Sequence, residues 1–150
     1  MRIAHGDARY ELDDEWWEEA GMAGFVPMRR AFRPDASGIA QLAVMEVAVA
    51  DVKPLDRQLS HGVFNDSPSE GTARERVLRI LKAFRDDVPI PPIELLRVDD
   101  GRYSFELYHG AHRFYCAVAA GFPAVSAVDV TSRPIEAVDL DALWGGRTRG

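Results

Sequence analysis

The most constraining stretch of this sequence is ELYHGAHRFYCAVAAGFP, residues 106–123. Its first residues suit a strand, Gly110 interrupts them, and an alanine-rich segment suited to a helix follows. Gly121 is placed to end that helix in a left-handed conformation, and Pro123 cannot continue it. The pattern therefore predicts a strand, a sharp turn at Gly110 and a helix over 111–120.

Two side chains in this stretch, His112 and Arg113, fall in the first turn of the predicted helix. The first N–H groups of a helix lack partners within it and carry partial positive charge, so cations there are unfavourable unless an anion joins them. Gly110 allows close approach, Arg113 offers a planar fork of donors, and His112 can donate as well. These preferences point to a phosphate or carboxylate ligand. The spacing fits equally well a structural arrangement in which Arg113 pairs with an acid such as Glu106 and His112 is a satisfied, half-buried side chain.

Composition predicts one globular domain, since the chain has 150 residues of which 47% are hydrophobic. The net charge is −6, and residues 1–20 alone hold seven acidic and two basic side chains. An acidic chain without a dense basic run argues against independent binding to duplex DNA. The single cysteine, Cys116, excludes an internal disulfide and favours a reducing compartment. With no signal sequence and no membrane-spanning run in the pattern, we expect a cytoplasmic protein without membrane partners.

Strand and helix patterns are mixed rather than strictly alternating, which predicts an α+β fold with a small mixed sheet and helices packed around it. We divide the chain into an N-terminal extension (1–40), a domain (41–130) and a C-terminal tail (131–150). Strands are expected at 42–50, 93–98, 102–108 and 124–130, turns at 34–38, 51–55 and 99–101, and helices at 13–20, from about residue 70 to 88, at 111–120, and in the tail around Leu140 and Trp144.

The helix near residue 70 has two candidate starts. Ser67 with Glu70 and Thr72 with Glu75 both satisfy the capping-box pattern. Its predicted buried face consists of Val77, Leu81, Phe84 and Val88. Its basic residues form a solvated face, or else Arg79 or Lys82 leans over a ligand.

The N-terminal extension carries two adjacent tryptophans, Trp16 and Trp17, in an acidic helix capped by Asp13 or Asp14. At least one of them is expected to pack on the domain, because aromatic side chains contribute most when buried. The alternative is a protein partner that binds the acidic Trp16/Trp17 segment.

A longer stretch, PPIELLRVDDGRYSFELYHGAHRFYCAVAAG (residues 91–121), resembles the ParB/sulfiredoxin superfamily. Sulfiredoxins carry a Pro-Pro-Ile-Asp-Val strand, a short hairpin and then Gly-Gly-Cys-His-Arg at the start of a helix, and ParB-like domains have an equivalent Gly-x-x-Arg turn. Upstream, VAVADVKPLDRQL is similar to the family's first strand and Pro-Leu turn. The resemblance covers residues 44–130 and implies a ParB/sulfiredoxin-like fold with a strand-turn-helix phosphate-binding joint.

The resemblance also implies a nucleotide ligand, because this turn holds the phosphates of ATP in sulfiredoxins and of CTP in ParB proteins. Ala111 matches the family only as a backbone N–H donor, and His109 stands where many small relatives have Asp. Sulfiredoxins also draw lysine and hydroxyl ligands from an earlier helix. These do not align cleanly here, where that helix offers Arg79 and Lys82 instead. The residues predicted to bind a nucleotide of the ATP or CTP class, with Mg²⁺, are His109, Gly110, Ala111, His112, Arg113 and Lys82.

Departures from the family limit what is carried over. The sulfiredoxin nucleophile falls at Ala111, and a methyl group cannot be a nucleophile, so the protein is not a sulfiredoxin. Cys116 lies five residues further along, where a small buried thiol is expected. The ParB sequence Gly-Glu-Arg-Arg is not reproduced, and there is no room for its DNA-reading domain.

We therefore expect a nucleotide-binding ParB/sulfiredoxin-like protein with nucleotide hydrolysis or phosphoryl transfer as its activity. The alternatives are a non-catalytic interaction or regulatory module with a vestigial pocket and, less favoured, a ParB-like nuclease. No catalytic base is identified, since Glu46 and Glu106 are chosen by strand position alone. No metal site is predicted, because His109 and His112 lack a third ligand.

Overall fold

The computed structural model describes residues 1–28, 44–55 and 62–131. The predictions for 34–38, for the first two residues of the 42–50 strand and for the tail around Leu140 and Trp144 lie outside these ranges. The described elements are β1 (Arg2–His5), β2 (Ala8–Glu11), α1 (Asp14–Glu19), β3 (Met45–Ala48), a 3₁₀ turn (Val49–Asp51), β4 (Val52–Lys53), α2 (Ala73–Arg85), β5 (Ile93–Arg97), β6 (Phe105–His109), α3 (Ala111–Ala120) and β7 (Ala124–Asp129). The predicted α+β class is confirmed.

One mixed sheet of five strands, in the order β3-β7-β5-β6-β4, organises the fold. The central strand β5 runs parallel to β7 and antiparallel to β6. At the two edges, β3 pairs antiparallel with β7 and β4 pairs parallel with β6. β6 therefore lies between two strands, and α3 leaves directly from its end.

The core lies where α2 and α3 contact each other and α3 contacts β5. Its fully buried side chains include Phe84 on α2, Phe114 and Tyr115 on α3, and Ile93 and Leu95 on β5. Burial of one large apolar side chain contributes about 1.5–3 kcal/mol. This apolar contact fixes α3, and therefore its first turn, against the sheet.

Thr72, rather than Ser67, starts α2. Its hydroxyl accepts from the Glu75 N–H at 3.1 Å, and Glu75 Oε1 accepts from the Thr72 N–H at 3.0 Å, which completes the capping box. The predicted burial of Val77, Leu81 and Phe84 is confirmed. The prediction for Val88 was wrong: the helix ends at Arg85, and Val88 is 46% exposed.

Two predictions around β4 and β6 need correction. Residues 51–55 are not simply a turn, because Val52 and Lys53 pair in parallel with Phe105 and Glu106. The strand predicted to begin at 102 begins at Phe105. Both errors have one reason: these pairings join segments distant in sequence, which local patterns do not report.

The N-terminal segment contains a β-hairpin that was not among the predicted elements. β1 and β2 pair with His5 opposite Ala8, so the loop consists of Gly6 and Asp7. Tyr10 on β2 is buried, and its hydroxyl donates to the Tyr115 carbonyl oxygen at 2.6 Å.

The acidic helix α1 follows the hairpin. Its cap is Asp13, whose carboxylate accepts from the Glu15 N–H at 2.8 Å. Trp16 and Trp17 are partly buried against the core, which confirms the expected packing. Across the described ranges, we find no helix with the length and apolar character needed to cross a bilayer.

Candidate functional site

The predicted joint between β6 and α3 is present. Gly110 adopts φ 101° and ψ 27°, a left-handed conformation that turns the chain sharply from strand into helix. The first helical hydrogen bond runs from the Phe114 N–H to the Gly110 carbonyl oxygen at 2.9 Å. No side chain caps this helix start, and its first turn contains no acidic residue.

Gly110 is required by packing as well as by conformation. A Cβ atom at this position would lie 2.9 Å from Ile93 Cγ2 and 2.9 Å from Arg113 Nη2. Contacts of that length essentially never occur for a real Cβ, so any side chain here must displace its neighbours. The joint is therefore a tightly packed turn.

Arg113 lies beneath the joint rather than on its surface. The residue is 3% exposed, and its Nη1 donates to the carbonyl oxygens of Pro91 at 3.1 Å and Pro92 at 3.3 Å. These bonds tie the start of α3 to the segment that leads into β5. The contacts of Nη1 are thus with backbone carbonyls rather than with the Glu106 carboxylate considered from sequence, and the positive charge lies under the first turn of α3.

His112 is buried and also makes a structural contact. Its Nε2 accepts from the Asn65 N–H at 3.1 Å, and its ring centroid lies 5.6 Å from that of Phe64. Because Nε2 is an acceptor, the proton of the neutral ring lies on Nδ1. His112 thus holds the segment before α2 against α3, as the structural alternative in the sequence suggested.

His109, the last residue of β6, contacts a buried carboxylate. Its Nδ1 lies 3.1 Å from Glu94 Oε2 on the neighbouring strand β5. Glu94 is 2% exposed, whereas the His109 side chain is 21% exposed. The pair places a histidine held by a carboxylate next to Gly110.

Lys82 is not brought to the joint. It lies exposed in the last turn of α2, where its charge contributes to lowering the pKa of Asp86 after the stronger effect of Arg85. The first turn of α3 instead lies near the start of α2, because Asn65 contacts both His112 and Arg76. Of the six residues predicted to bind nucleotide, five are consecutive at the joint and Lys82 is apart from them.

The two carboxylates chosen by strand position lie apart. Glu46 is on the edge strand β3, which two strands separate from β6. Glu106 is on β6, opposite Leu96 and alongside Lys53. Sequence reasoning had missed Glu94, although an acidic residue within the run Pro-Pro-Ile-Glu-Leu-Leu was a usable signal, since a charge inside an apolar strand needs a partner.

Basic residues on α2 do not form an open cationic surface. Its four arginines each contact an acidic side chain or a backbone carbonyl, which reduces their availability to phosphates, whereas Lys82 is exposed. The contacts are Arg74 with Glu19, Arg76 with Glu70 at 2.9 Å, Arg79 with the Glu70 carbonyl at 3.1 Å, and Arg85 with Asp86 at 2.8 Å. This arrangement weakens the nuclease alternative.

Cys116 is fully buried on α3, as expected. Desolvation raises the pKa of its thiol well above the ordinary value, so the nucleophilic thiolate is disfavoured. Burial therefore gives a physical reason for the prediction that Cys116 does not act as a nucleophile. The described residues also contain no cluster of three or more side chains suited to hold a metal ion.

Two open grooves are lined by described residues, and the first includes Phe64, whose ring contacts His112. One, of about 480 Å³, lies beside the N-terminal hairpin and is lined among others by Met1, Arg9, Trp16 and Phe64. The other, of about 310 Å³, lies between Met28, Glu46 and Phe122.

Comparison of the chain with family models, with curated proteins and with solved structures finds no match in any of the three. The resemblance to the ParB/sulfiredoxin superfamily therefore stays a prediction from the quoted residues.

Proposed function

We propose that this protein binds a nucleotide through its phosphates at the β6–α3 joint, as a ParB/sulfiredoxin-like protein, and hydrolyses it or transfers its phosphoryl group. The observation that carries the proposal is the start of α3: a ten-residue helix that begins after a left-handed glycine, with neither a side-chain cap nor an acid in its first turn. Backbone N–H groups at such a position favour an anion.

Arg113 supports the proposal through its charge. Its guanidinium is buried under the first turn and bonded to the Pro91 and Pro92 carbonyl oxygens. A fixed positive charge raises the local potential even where its own N–H groups do not touch the ligand. The donors to phosphate are then the backbone N–H groups of residues 111–113, with His109 next to Gly110. Mg²⁺ would accompany the nucleotide and neutralise part of its phosphate charge.

The test is calorimetric titration of ATP, ADP, CTP and GTP with Mg²⁺ into the wild type, Ala111→Glu and Ala111→Gln. A carboxylate in the first turn stabilises a helix by about 0.3–1 kcal/mol, which should offset part of the cost of enlarging the partly buried Ala111. It should nevertheless repel phosphate, raising Kd by about tenfold or more, equivalent to ~1.4 kcal/mol.

Ala111→Gln is the matched control, because it adds the same bulk without charge. Its Kd should stay within about threefold of the wild type, less than 1 kcal/mol. Absence of binding at millimolar nucleotide by the folded wild type would refute the proposal. So would equal affinities for the Glu and Gln variants, since the anion would then lie elsewhere.

A second candidate, the non-catalytic interaction module, is favoured by the groove beside the N-terminal hairpin. It exposes Trp16 and Phe64 together with charged Arg9 and Asp13, a combination common in protein interfaces. The internal contacts of His112 and Arg113 also agree with a structural joint. For this candidate, we expect a bound protein partner to slow hydrogen exchange in residues 9–16 while nucleotides leave it unchanged.

A further inference from the structure

Glu94 is the least expected charged residue in the sheet. It lies on the central strand β5 and is 2% exposed, whereas carboxylates are rarely buried without a partner. The partner that the structure provides is His109, with 3.1 Å between Nδ1 and Oε2. Burying a carboxylate costs desolvation free energy, which a paired group with good hydrogen-bond geometry must compensate.

A β-bulge in β6 creates this contact. Leu96 lies opposite Glu106 and Leu95 opposite Leu107, but Glu94 lies opposite His109, so Tyr108 is an extra residue in the ladder. In a regular ladder Tyr108 would face Glu94; instead its side chain is 39% exposed. Bulges redirect side chains and are common beside functional sites.

The contact also fixes which nitrogen of His109 can act. A carboxylate accepts a hydrogen bond, so Nδ1 carries a proton and the neutral ring keeps its lone pair on Nε2. The ring is 21% exposed, and the next residue along the chain is Gly110 at the joint. A histidine oriented by a carboxylate in this way is suited to exchange a proton with a bound molecule.

We propose that His109 is a catalytic residue that accepts a proton through Nε2 from the group attacking the bound phosphate, and that Glu94 is its positioning residue. This inference rests on the proposed nucleotide site and adds the base that the sequence did not identify. For hydrolysis, the oxygen of water bonds to the terminal phosphorus while the bond from that phosphorus to the bridging oxygen breaks. The leaving nucleoside diphosphate takes the electron pair, and the proton of water passes to Nε2 and then to solvent.

The titratable and charged groups around His109 define the expected pH behaviour. They are Glu94 across the strand pair, Tyr108 and Glu106 on its own strand, and His112 and Arg113 in the first turn of α3. Of these, Glu94 is buried and contacts the imidazole Nδ1 at 3.1 Å. Its carboxylate favours protonated His109, so neutralising Glu94 should lower the midpoint of His109 titration.

The experiment is a histidine side-chain NMR titration of the full chain, wild type and Glu94→Gln, with and without the Mg²⁺ complexes of ATP, CTP and GTP. In the wild type we expect the neutral His109 ring to be protonated at Nδ1, and its Nε2 signal to shift when one of the nucleotides is added. Glu94→Gln should lower the His109 midpoint measurably. The acidic limb of the pH profile of nucleotide turnover should move by the same amount.

His5 is the internal control, since it is also buried but its Nε2 contacts the Val49 carbonyl oxygen away from the joint. Its signal should not respond to nucleotide. If the amide signals of Gly110 and Ala111 shift with nucleotide while His109 Nε2 does not, the role of His109 is refuted and the phosphate site stands. If none of these signals shifts, both proposals fail. An unchanged His109 midpoint in Glu94→Gln would overturn the positioning role of Glu94. This NMR measurement does not depend on nucleotide turnover.

Discussion

At the scale of single residues, the joint shows how one glycine can serve two requirements. Gly110 needs a left-handed backbone, and the space that a Cβ would fill is taken by Ile93 and Arg113. The sequence indicated the first requirement, because a glycine between strand and helix patterns is a local signal. It could not indicate the second, nor the burial of Arg113 and His112, because their partners Pro91, Pro92 and Asn65 are distant in sequence.

We predict that Gly110→Ala destabilises the protein by about 2–4 kcal/mol, combining left-handed strain with overpacking. The matched control is Gly101→Ala, where φ is +81° but no atom lies within 4 Å of the added Cβ. Strain alone should cost this variant about 1–2 kcal/mol. Urea unfolding of both variants measures the difference, and equal losses would show that Ile93 and Arg113 move aside without cost.

At the scale of elements, what could be predicted depended on whether the signal was local. Both ends of α3 followed from Gly110 and Gly121, and Gly121 has the expected left-handed conformation with φ 92°. The β1–β2 hairpin also had a local signal, the two-residue loop Gly6-Asp7, which the sequence analysis did not use. β4 had none, because two residues form a strand only through their parallel pairing with β6.

The start of α2 illustrates a competition between two equal local signals. Ser67 exchanges two backbone hydrogen bonds with Gly71, at 2.8 and 3.1 Å, so its segment forms a turn and leaves the helix start to Thr72. Neither capping-box pattern alone contained that information. The candidate site likewise depends on a contact between different elements, since the pairing of β5 with β6 brings Glu94 and His109 together.

We predict that Thr72→Ala costs about 1 kcal/mol, because it removes the hydroxyl that accepts from the Glu75 N–H. Ser67→Ala is the control, since the Ser67 hydroxyl makes longer contacts, 3.3 Å from the Glu70 N–H and 3.4 Å from the Ser69 hydroxyl. Its loss should be clearly smaller. Thermal melting followed by circular dichroism compares the two, and a larger effect at Ser67 would mean that the helix start is set by the earlier turn.

At the scale of the whole molecule, the N-terminal segment is joined to the sheet at several points. Tyr10, Leu12 and Met22 belong to the same core as α2 and α3. Asp7 in the hairpin loop forms an ion pair with Arg102 in the loop between β5 and β6. The acidic N-terminus is therefore held by both apolar and charged contacts, and its unfolding should be coupled to that of the sheet.

Several aspartates give this coupling a pH dependence. Hydrogen bonding by Arg102 lowers the pKa of Asp7, and the Tyr103 and Arg102 N–H groups lower that of Asp100. The Thr131 hydroxyl and N–H, with a smaller contribution from Arg97, lower the pKa of Asp129. Each carboxyl therefore binds a proton less readily in the folded than in the unfolded chain, whose ordinary value is 3.8.

A folded pKa below the unfolded one gives stability that is present above the unfolded value and is lost as the pH falls through the folded value. We therefore predict a melting temperature that changes little from neutral pH down to about pH 5 and decreases below about pH 4. Asp100→Asn should weaken that decrease at both low and high salt, because backbone hydrogen bonds lower its pKa more than its 4.0 Å ion pair with Lys53 does. Asp7→Asn should weaken it mainly at low salt, because the Asp7–Arg102 pair is exposed and screened. Calorimetric melting across this pH range at two salt concentrations checks both variants. If neither substitution alters the decrease in melting temperature at low pH, other carboxyl groups cause that decrease.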